Sequence, residues 1–483
     1  MSGRGLRAAD PPRAWGRPAP GGGRAAHVEG GVLHAGTTSQ VCGLFPFAIG
    51  AGAPVHGVPI GRHLLTAEPV GLDPAEWLRR GLVSSTGVWV QGQPGIGKSA
   101  FVKRMITGLV GFGGTAVVPG DVKGEYGPLV EALGGTVWRI GRGRHALNPL
   151  DGSPMRAALR AAVGADRAAL ADTLRARRIA LLEALLVVAR GDPLPVTERR
   201  LLAAALDAAI DARADDPEIP DVLGALLYGA DPLPGIVATR GPAAYRRAIR
   251  ELVNTLALLC DGPLRGIVDR PSTFRADPHA RAVAVDVSAL DGDADDVLAA
   301  AMLSAWAWSA AVVDGRRVGR PESIEPVAVV QDELWRALRV APGLVEQADR
   351  ITRLNRHRGV VSFQVTHSLD DLAALPTEAD RAKARGLVAR SGMLVLGGMA
   401  KRELDALRGL VPISAGESGL VTSWAAPPSW TTGAVHPGRG RYLVKSGERV
   451  GLPVGMTLTP TETGLYDTDR ALCPAPGPGQ GAG

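Results

Sequence analysis

The order of apolar and polar positions predicts alternating strands and helices in the first part of the chain. GVWVQ (Gly87–Gln91) is a short apolar run, and the apolar residues of the SAFVKRMITGLV stretch after it recur at helical spacing. GTAVVPGD (Gly114–Asp121) is a second apolar run, EYGPLVEALG has helical character, and GTVWRI is a third apolar run. Such a βαβαβ succession is typical of a parallel sheet covered by helices.

The strand pattern disappears between residues 154 and 275 and then returns. RAALADTLRARRIALLEALLVVAR and TERRLLAAALDAAIDAR carry helical spacing and strong helix formers, which predicts an all-α insertion. Further strands are predicted in AVAVDVSAL, PVAVVQDE, VVSFQVTHS, GMLVLGG and RYLVK. We therefore predict an α/β fold with one sheet, formed by residues 41–153 and 276–470, that the insertion interrupts. The ends, 1–40 and 471–483, bury too little apolar area to fold and are predicted to be disordered.

One apolar segment, VLAAAMLSAWAWSAAVV (Val297–Val313), has no charged residue and needs to be weighed as a membrane span. A spanning helix needs about 20 such residues, so this one is short, and it is rich in Ala. Strand-like segments flank it closely, which favours a helix buried against the sheet. Three widely separated cysteines and an N-terminus without an apolar signal-type run favour a cytoplasmic protein, peripheral to the inner face of the membrane.

The net charge of the chain excludes few classes of function. The net charge is +6, and only six of the 54 basic residues are lysines, so each lysine is informative. This mild excess is compatible with contact to DNA or an anionic membrane, and it establishes neither. Ordinary surface arginines in an Arg-rich composition are the favoured explanation.

GQPGIGKS (Gly92–Ser99) contains the strongest motif in the chain. It satisfies the pattern G-x-x-x-x-G-K-[ST] between a predicted strand and a predicted helix. The glycines let backbone N–H groups turn around phosphate oxygens, Lys98 would reach the β- and γ-phosphates, and Ser99 would bind Mg²⁺. We predict a RecA-like P-loop NTPase sheet that binds ATP and Mg²⁺. The nucleotide would contact Gly92, Gln93, Pro94, Gly95, Ile96, Gly97, Lys98, Ser99 and Ala100.

Hydrolysis also requires an acid on the metal and a group that activates water. PVAVVQDE ends in adjacent acids, so Asp332 is predicted to bind Mg²⁺ and Glu333 to activate the water. The alternative is a solvated helix start, because helix N-termini stabilise carboxylates. Since a phosphate loop requires such an acid strand, we favour the metal and water roles.

Several motifs together resemble the motor ATPases of conjugation and type IV secretion, the VirB-four/TraC-like branch of the HerA–FtsK superfamily. They occur in the order GQPGIGKS, DVKGEYGPL, NPLD, VDVSAL, DELW and VVSFQVTHSLDDL. The family's D-E-A-W motif carries the metal acid, the catalytic Glu and a packing Trp, which implies these roles for Asp332, Glu333 and Trp335. The helical insertion and the GVPIGRHL stretch also resemble family features.

The sequence departs from the family pattern at two points. The family usually has Thr-Gln at the end of the strand after the acid strand, where the Gln senses the γ-phosphate. Here Thr366 and His367 stand in those places, so either His367 or the nearby Gln364 would take the sensor role. The large N-terminal domain of the family is also absent from this sequence, which implies docking through another subunit.

The resemblance further implies a ring-shaped hexamer in which an Arg of one subunit completes the site of its neighbour. We favour Arg353 or Arg441 for this role; the other candidates are Arg350, Arg356, Arg358 and Arg439. Expected partners are copies of this chain and other secretion or conjugation subunits, some embedded in the membrane. Each of these arginines is individually more typical of a surface residue.

Two residue groups remain open at this stage. Asp121, Lys123 and Glu125 follow the second strand at the edge where open α/β sheets bind ligands, but a solvated turn explains them equally well. Asp286 ends another strand and is predicted to cap a loop.

The leading hypothesis is an ATP-hydrolysing motor for a conjugation or type IV secretion machine. A DNA pump of the coupling-protein or FtsK kind is one alternative, although we find neither a transmembrane anchor nor a winged-helix DNA reader. The other is a nucleotide-gated assembly subunit that hydrolyses almost no ATP, which the His367 substitution leaves open.

Overall fold

The computed structural model describes residues 54–213, 216–229, 231–277, 279–317, 325–346, 348, 359–427 and 436–466. The ends that are predicted to be disordered, 1–40 and 471–483, lie outside these residues, and so does the arginine-rich segment 349–358.

Eleven strands make up one sheet in the described part of the chain. They are β1 (Val58–His63), β2 (Pro69–Leu72), β3 (Gly87–Gln91), β4 (Thr115–Asp121), β5 (Thr136–Arg139), β6 (Ala282–Asp286), β7 (Val327–Asp332), β8 (Val360–Thr366), β9 (Met393–Leu396), β10 (Arg441–Lys445) and β11 (Leu452–Gly455). Their spatial order is β2-β1-β11-β10-β9-β3-β8-β7-β4-β6-β5. The strands from β9 to β5 run parallel, and β10, β11, β1 and β2 extend the sheet antiparallel.

Helices cover both faces of this sheet. They are α1 (Pro74–Arg79), α2 (Lys98–Gly111), α3 (Gly127–Ala132), α4 (Arg156–Ala161), α5 (Gly164–Arg190), α6 (Val196–Ala212), α7 (Ile219–Tyr228), α8 (Leu233–Ile236), α9 (Pro242–Ala248), α10 (Arg250–Asp261), α11 (Asp295–Arg317), α12 (Leu334–Leu338), α13 (Asp370–Ala373), α14 (Glu378–Ala389), α15 (Lys401–Arg408), α16 (Ala415–Ser423) and α17 (Pro460–Tyr466). Two short 3₁₀ turns are Ser153–Met155 and Ser288–Leu290. The run from α4 to α10 is the predicted all-α insertion between the early strands and the acid strand β7.

Alternation along the strands builds two hydrophobic cores, one on each face of the sheet. Val88 and Val90 of β3 point into the core beneath α2, whereas Trp89 points into the core that contains α11 and the helical insertion. The prediction of a parallel sheet flanked by helices is therefore confirmed.

The alanine-rich helix α11 is buried, as predicted. It is the one helix in the described part of the chain that is long and apolar enough to cross a membrane, and 94% of its most apolar stretch is buried inside the protein. Asp314 of α11 forms an ion pair with Arg177 of α5, and both side chains are buried. The pair joins the insertion to the helix layer on the sheet.

The sequence patterns did not predict β1, β2 and β11. Each of these strands contains Gly and Pro, for example LPVG in β11, and both residue types are depleted in strands. All three lie in the antiparallel extension, where pairing with neighbouring strands stabilises them. The parallel strands that carry the motifs have continuous apolar runs and were predicted.

Candidate functional site

The phosphate-loop motif forms a tight turn between β3 and α2. Gly95 and Gly97 have φ angles of +78° and +98°, in the left-handed region that favours glycine. A Cβ on Gly97 would lie 2.8 Å from the Tyr442 hydroxyl oxygen. Glycine is therefore required at position 97 both by the backbone conformation and by the close approach of another strand.

Residues from the C-terminal part of the sheet hold this loop in place. The N–H of Gly440 donates to the carbonyl of Ile96 at 3.0 Å, and the Tyr442 hydroxyl donates to the carbonyl of Gly97 at 2.6 Å. On the other side, the N–H of Gln93 donates to the carbonyl of Gly398 at 3.0 Å. These contacts were not predicted from the sequence. The adjacent Gly397 and Gly398 after β9 could have indicated the contact with Gln93, because glycines allow close backbone approach.

We predict that Tyr442→Phe weakens nucleotide binding several-fold without unfolding the protein. The change removes the hydrogen bond to Gly97, which is worth about 1 kcal/mol, and keeps the ring that packs against Phe101. Tyr245→Phe is the matched control, because that hydroxyl donates to the Leu226 carbonyl in the helical insertion. Titration with a fluorescent ATP analogue measures both, and equal affinities would contradict the prediction.

The Lys98 side chain is folded back onto the loop. Its buried Nζ donates to the carbonyls of Gly92 at 2.7 Å and Gln93 at 3.1 Å, and lies 2.8 Å from Nδ1 of His367. Burial lowers the pKa of Lys98 to about 8, against the attraction of Asp332. The amine therefore changes charge close to physiological pH.

Nucleotide affinity is predicted to fall as the pH rises through about 8. A phosphate binds the ammonium form of Lys98, so binding at pH 8–9 must take up a proton that the free protein has lost. The fall would approach roughly tenfold per pH unit above that pKa. Calorimetric titration in two buffers of different ionisation enthalpy measures the proton uptake, and Lys98→Met should abolish it. A pH-independent affinity with no proton uptake would be inconsistent with this role.

The first acid of the pair, Asp332, ends β7 and is half-buried. Its Oδ2 accepts a hydrogen bond from the Tyr126 hydroxyl at 3.0 Å, and its Oδ1 accepts one from the Glu333 N–H at 3.0 Å. Burial and the neighbouring Glu333 charge raise the pKa of Asp332 to about 6. A cation bound nearby would stabilise the ionised form of Asp332 and lower its pKa again.

Glu333 is buried and surrounded by donors, unlike the solvated helix start considered as the alternative. Its Oε1 lies 2.6 Å from Lys123 Nζ and 2.9 Å from His367 Nε2, and its Oε2 accepts a hydrogen bond from Trp335 Nε1 at 2.7 Å. Burial alone would raise the pKa of Glu333, but His367 and Lys123 outweigh it and hold that pKa well below its usual value. The carboxylate is thus ionised, and Trp335 does more than pack.

The backbone of Glu333 is strained. Its φ is +53°, a left-handed conformation that is uncommon for a residue other than glycine. Strain of this kind persists only where the surroundings impose it, and it clusters at functional sites. Here it turns the carboxylate off the end of β7 toward His367.

His367 joins the phosphate loop to the acid pair. It follows β8, the strand that lies between β3 and β7. With the Lys98 ammonium donating to Nδ1, the imidazole carries its proton on Nε2 and donates it to Glu333. Gln364, the alternative sensor, lies within β8 opposite Trp89 and Gln331. The structure therefore brings His367, of these two candidates, into contact with both functional groups.

The donor set fits Mg²⁺. Ser99, in the first turn of α2, offers a hydroxyl, and Asp332 offers a carboxylate whose pKa is raised by burial and by the Glu333 charge. Mg²⁺ prefers such oxygen ligands and is usually held by one or two carboxylates together with substrate phosphates. Within the described ranges, no group of three or more His, Cys, Asp or Glu side chains could hold a metal ion.

The arginine candidates divide into two groups. Arg353, like Arg350, Arg356 and Arg358, lies outside the described residues. Arg441 is exposed at the start of β10, next to the Gly440 N–H that holds Ile96 of the same chain, and Arg439 is also exposed in this turn. Whether either one acts on a neighbouring subunit stays a prediction.

The loop after β4 is part of the site rather than a solvated turn. Asp121 is buried and accepts hydrogen bonds from the N–H groups of Glu125 and Tyr126, at 3.2 and 2.8 Å. Lys123 reaches Glu333, and Tyr126 reaches Asp332. Sequence analysis left this loop undecided.

Asp286 caps its own loop, as predicted, by accepting the N–H of Ser288 at 2.9 Å.

Comparison with known proteins gives a match at the level of structure. No family model and no curated protein matches the sequence. VirB4 of Thermoanaerobacter pseudethanolicus is 17% identical, with a TM-score of 0.61 over 86% of this chain and 99% of that chain. Weaker matches are the bacterial conjugative coupling protein TrwB (14%, TM-score 0.46, 83% and 88%) and the cytoplasmic domain of the type VII secretion ATPase EccC from Thermomonospora curvata (13%, TM-score 0.32, 84% and 29%). The chain therefore has the RecA-like P-loop fold of VirB4, in agreement with the resemblance inferred from its motifs.

Proposed function

We propose that this chain is an ATP-hydrolysing motor that energises a conjugative transfer or type IV secretion apparatus. The observation that carries the proposal is the chain of contacts Lys98–His367–Glu333, with distances of 2.8 and 2.9 Å. It connects a phosphate-binding amine to an ionised carboxylate on a different strand. A loop that only bound nucleotide would need the amine but not the carboxylate.

Each residue has a defined task in this mechanism. The loop N–H groups and Lys98 hold the phosphates of ATP, and Ser99 and Asp332 hold Mg²⁺. Bound Mg²⁺ would neutralise charge on the phosphates. Glu333 accepts the proton of the attacking water on a carboxylate oxygen, while the water oxygen bonds to the γ-phosphorus and ADP leaves. His367 donates to Glu333 and senses whether Lys98 is engaged with a phosphate.

The assignment to a secretion or conjugation machine is supported by the motif order and by the fold match along 99% of the VirB4 chain. We propose that residues 41–153 and 276–470 form the ATPase domain. In this proposal the protein works as a hexamer, with Arg353 or Arg441 completing a neighbouring site. It would act in the cytoplasm at the inner face of the membrane, with other apparatus subunits as partners.

Phosphate release by the purified protein tests the proposal. ATP hydrolysis is expected with Mg²⁺ and should disappear with EDTA. Turnover that Mg²⁺ does not raise above the EDTA background would reject the motor and favour a nucleotide-gated assembly subunit. Adding DNA separates the DNA-pump alternative, because stimulation by DNA with a steep salt dependence is expected only of that class.

A further inference from the structure

The loop between β4 and α3 places two side chains against the acid pair. The Asp121 carboxylate fixes the loop by accepting the N–H groups of Glu125 and Tyr126. Tyr126 is fully buried and donates to Asp332. The same loop carries Lys123 to 2.6 Å from Oε1 of Glu333. One short segment therefore contacts both acids, and neither contact is assigned a role in the mechanism above.

The Lys123 contact fills the coordination of one carboxylate oxygen. A carboxylate has about four lone-pair sites, two on each oxygen. On Glu333, Oε1 already accepts from both Lys123 and His367, and Oε2 accepts from Trp335. A water molecule could bind Oε1 as a proton donor only after Lys123 or His367 has left it. In the structure, Oε1 of Glu333 thus has both of its lone-pair sites occupied.

Lys123 is the partner that can leave more readily. His367 is held at its other ring nitrogen by Lys98, whereas the Lys123 side chain is 41% exposed and has solvent beside it. A flexible, partly exposed lysine side chain can exchange an ion-pair partner for water with a small change in free energy. We infer that Lys123 is a positioning residue that acts as a latch: it occupies Oε1 of Glu333 without nucleotide and releases it when nucleotide binds. This inference rests on the proposed hydrolytic function.

Chemical labelling of lysine tests the release without requiring turnover. The wild-type protein is treated with acetic anhydride, with and without the Mg²⁺ complex of a non-hydrolysable ATP analogue, and the modified peptides are quantified by mass spectrometry. Lys383 is the internal control, because it is 49% exposed and pairs with Glu346 at the same distance of 2.6 Å. Lys123 is expected to label more slowly than Lys383 without nucleotide and several-fold faster once nucleotide is bound. An unchanged or slower Lys123 reaction on nucleotide binding would overturn the latch.

Two variants test its effect on turnover. Lys123→Met removes the donor that must leave Glu333 when nucleotide binds, so it should raise kcat/KM for ATP roughly three- to tenfold, the effect of one hydrogen bond, mainly through a lower KM. Lys123→Arg keeps the charge and a donor and should stay near wild type. A kcat/KM of Lys123→Met that is unchanged or lower overturns the inference. Wild-type protein that binds the analogue, releases Lys123 and yet fails to hydrolyse ATP would instead reject the motor.

Discussion

Replacing Glu333 with Gln should reduce kcat for ATP roughly 10²- to 10⁴-fold, the range for loss of a positioned general base. The amide cannot accept the proton of the attacking water, and its single oxygen cannot serve Lys123, His367 and Trp335 together. Nucleotide binding should persist, because the loop and Lys98 are unaltered. Steady-state hydrolysis and equilibrium binding of a fluorescent ATP analogue measure the two effects separately.

Glu417→Gln is the matched control for this variant. Glu417 is also buried and also pairs with a lysine, Lys445 at 2.9 Å, but Lys445 ends β10 away from the turn that holds the phosphate loop. If the loss in Glu333→Gln came only from breaking a buried ion pair, Glu417→Gln would lose hydrolysis as well. Hydrolysis at the wild-type rate in Glu333→Gln would remove Glu333 from the mechanism.

Replacing Lys98 with Ala should weaken ATP binding roughly 10- to 100-fold, the effect of losing charge-assisted hydrogen bonds of about 1.5–3 kcal/mol. It should also lower kcat by roughly 10²-fold or more, because the amine faces charge that develops on the phosphates. Binding and hydrolysis both fall here, in contrast to Glu333→Gln. The comparison of kcat with affinity therefore distinguishes the two residues.

The folded state should tolerate the loss of Lys98. Burial lowers its pKa to about 8, below the ordinary value of 10.5, so the folded protein disfavours the charged amine. The resulting destabilisation of the folded state is fully present below pH 8 and is lost as the pH rises toward 10.5. At pH 7 the Lys98→Ala variant lacks this destabilisation, but it also lacks the hydrogen bonds to Gly92 and Gln93. Because the two effects oppose each other, we expect little change in Tm. Lys383→Ala, at a surface ion pair, is the control, and undiminished ATP affinity in Lys98→Ala would contradict the phosphate role.

The sequence was sufficient for the parallel part of the fold and for β10 of the antiparallel extension. GVWVQ and RYLVK form strands over the predicted residues, and the βαβαβ start and the helical insertion also appear. Those segments carry dense local signals, either unbroken apolar runs or sustained helical spacing. The strands β1, β2 and β11 are held by pairing rather than by their own composition, so local patterns could not reveal them.

At the candidate site, motifs identified the residue types but not their mutual contacts. The motif order pointed to Lys98, Asp332, Glu333 and His367, yet the bridge formed by His367 depends on β8 lying between β3 and β7. Lys123 and Tyr442 are separated from their partners by more than two hundred residues of chain. Contacts of that kind follow from the strand order, which a single sequence does not give directly.

The support of the phosphate loop by Gly440 and Tyr442 has a consequence for biosynthesis. The strand that fixes two carbonyls of the loop is made about 345 residues after the loop itself. A growing chain therefore carries the motif through about 345 residues of synthesis before these hydrogen bonds can form. Full affinity for nucleotide should arise only after β10 has been made, so chains that terminate before β10 would compete poorly for ATP.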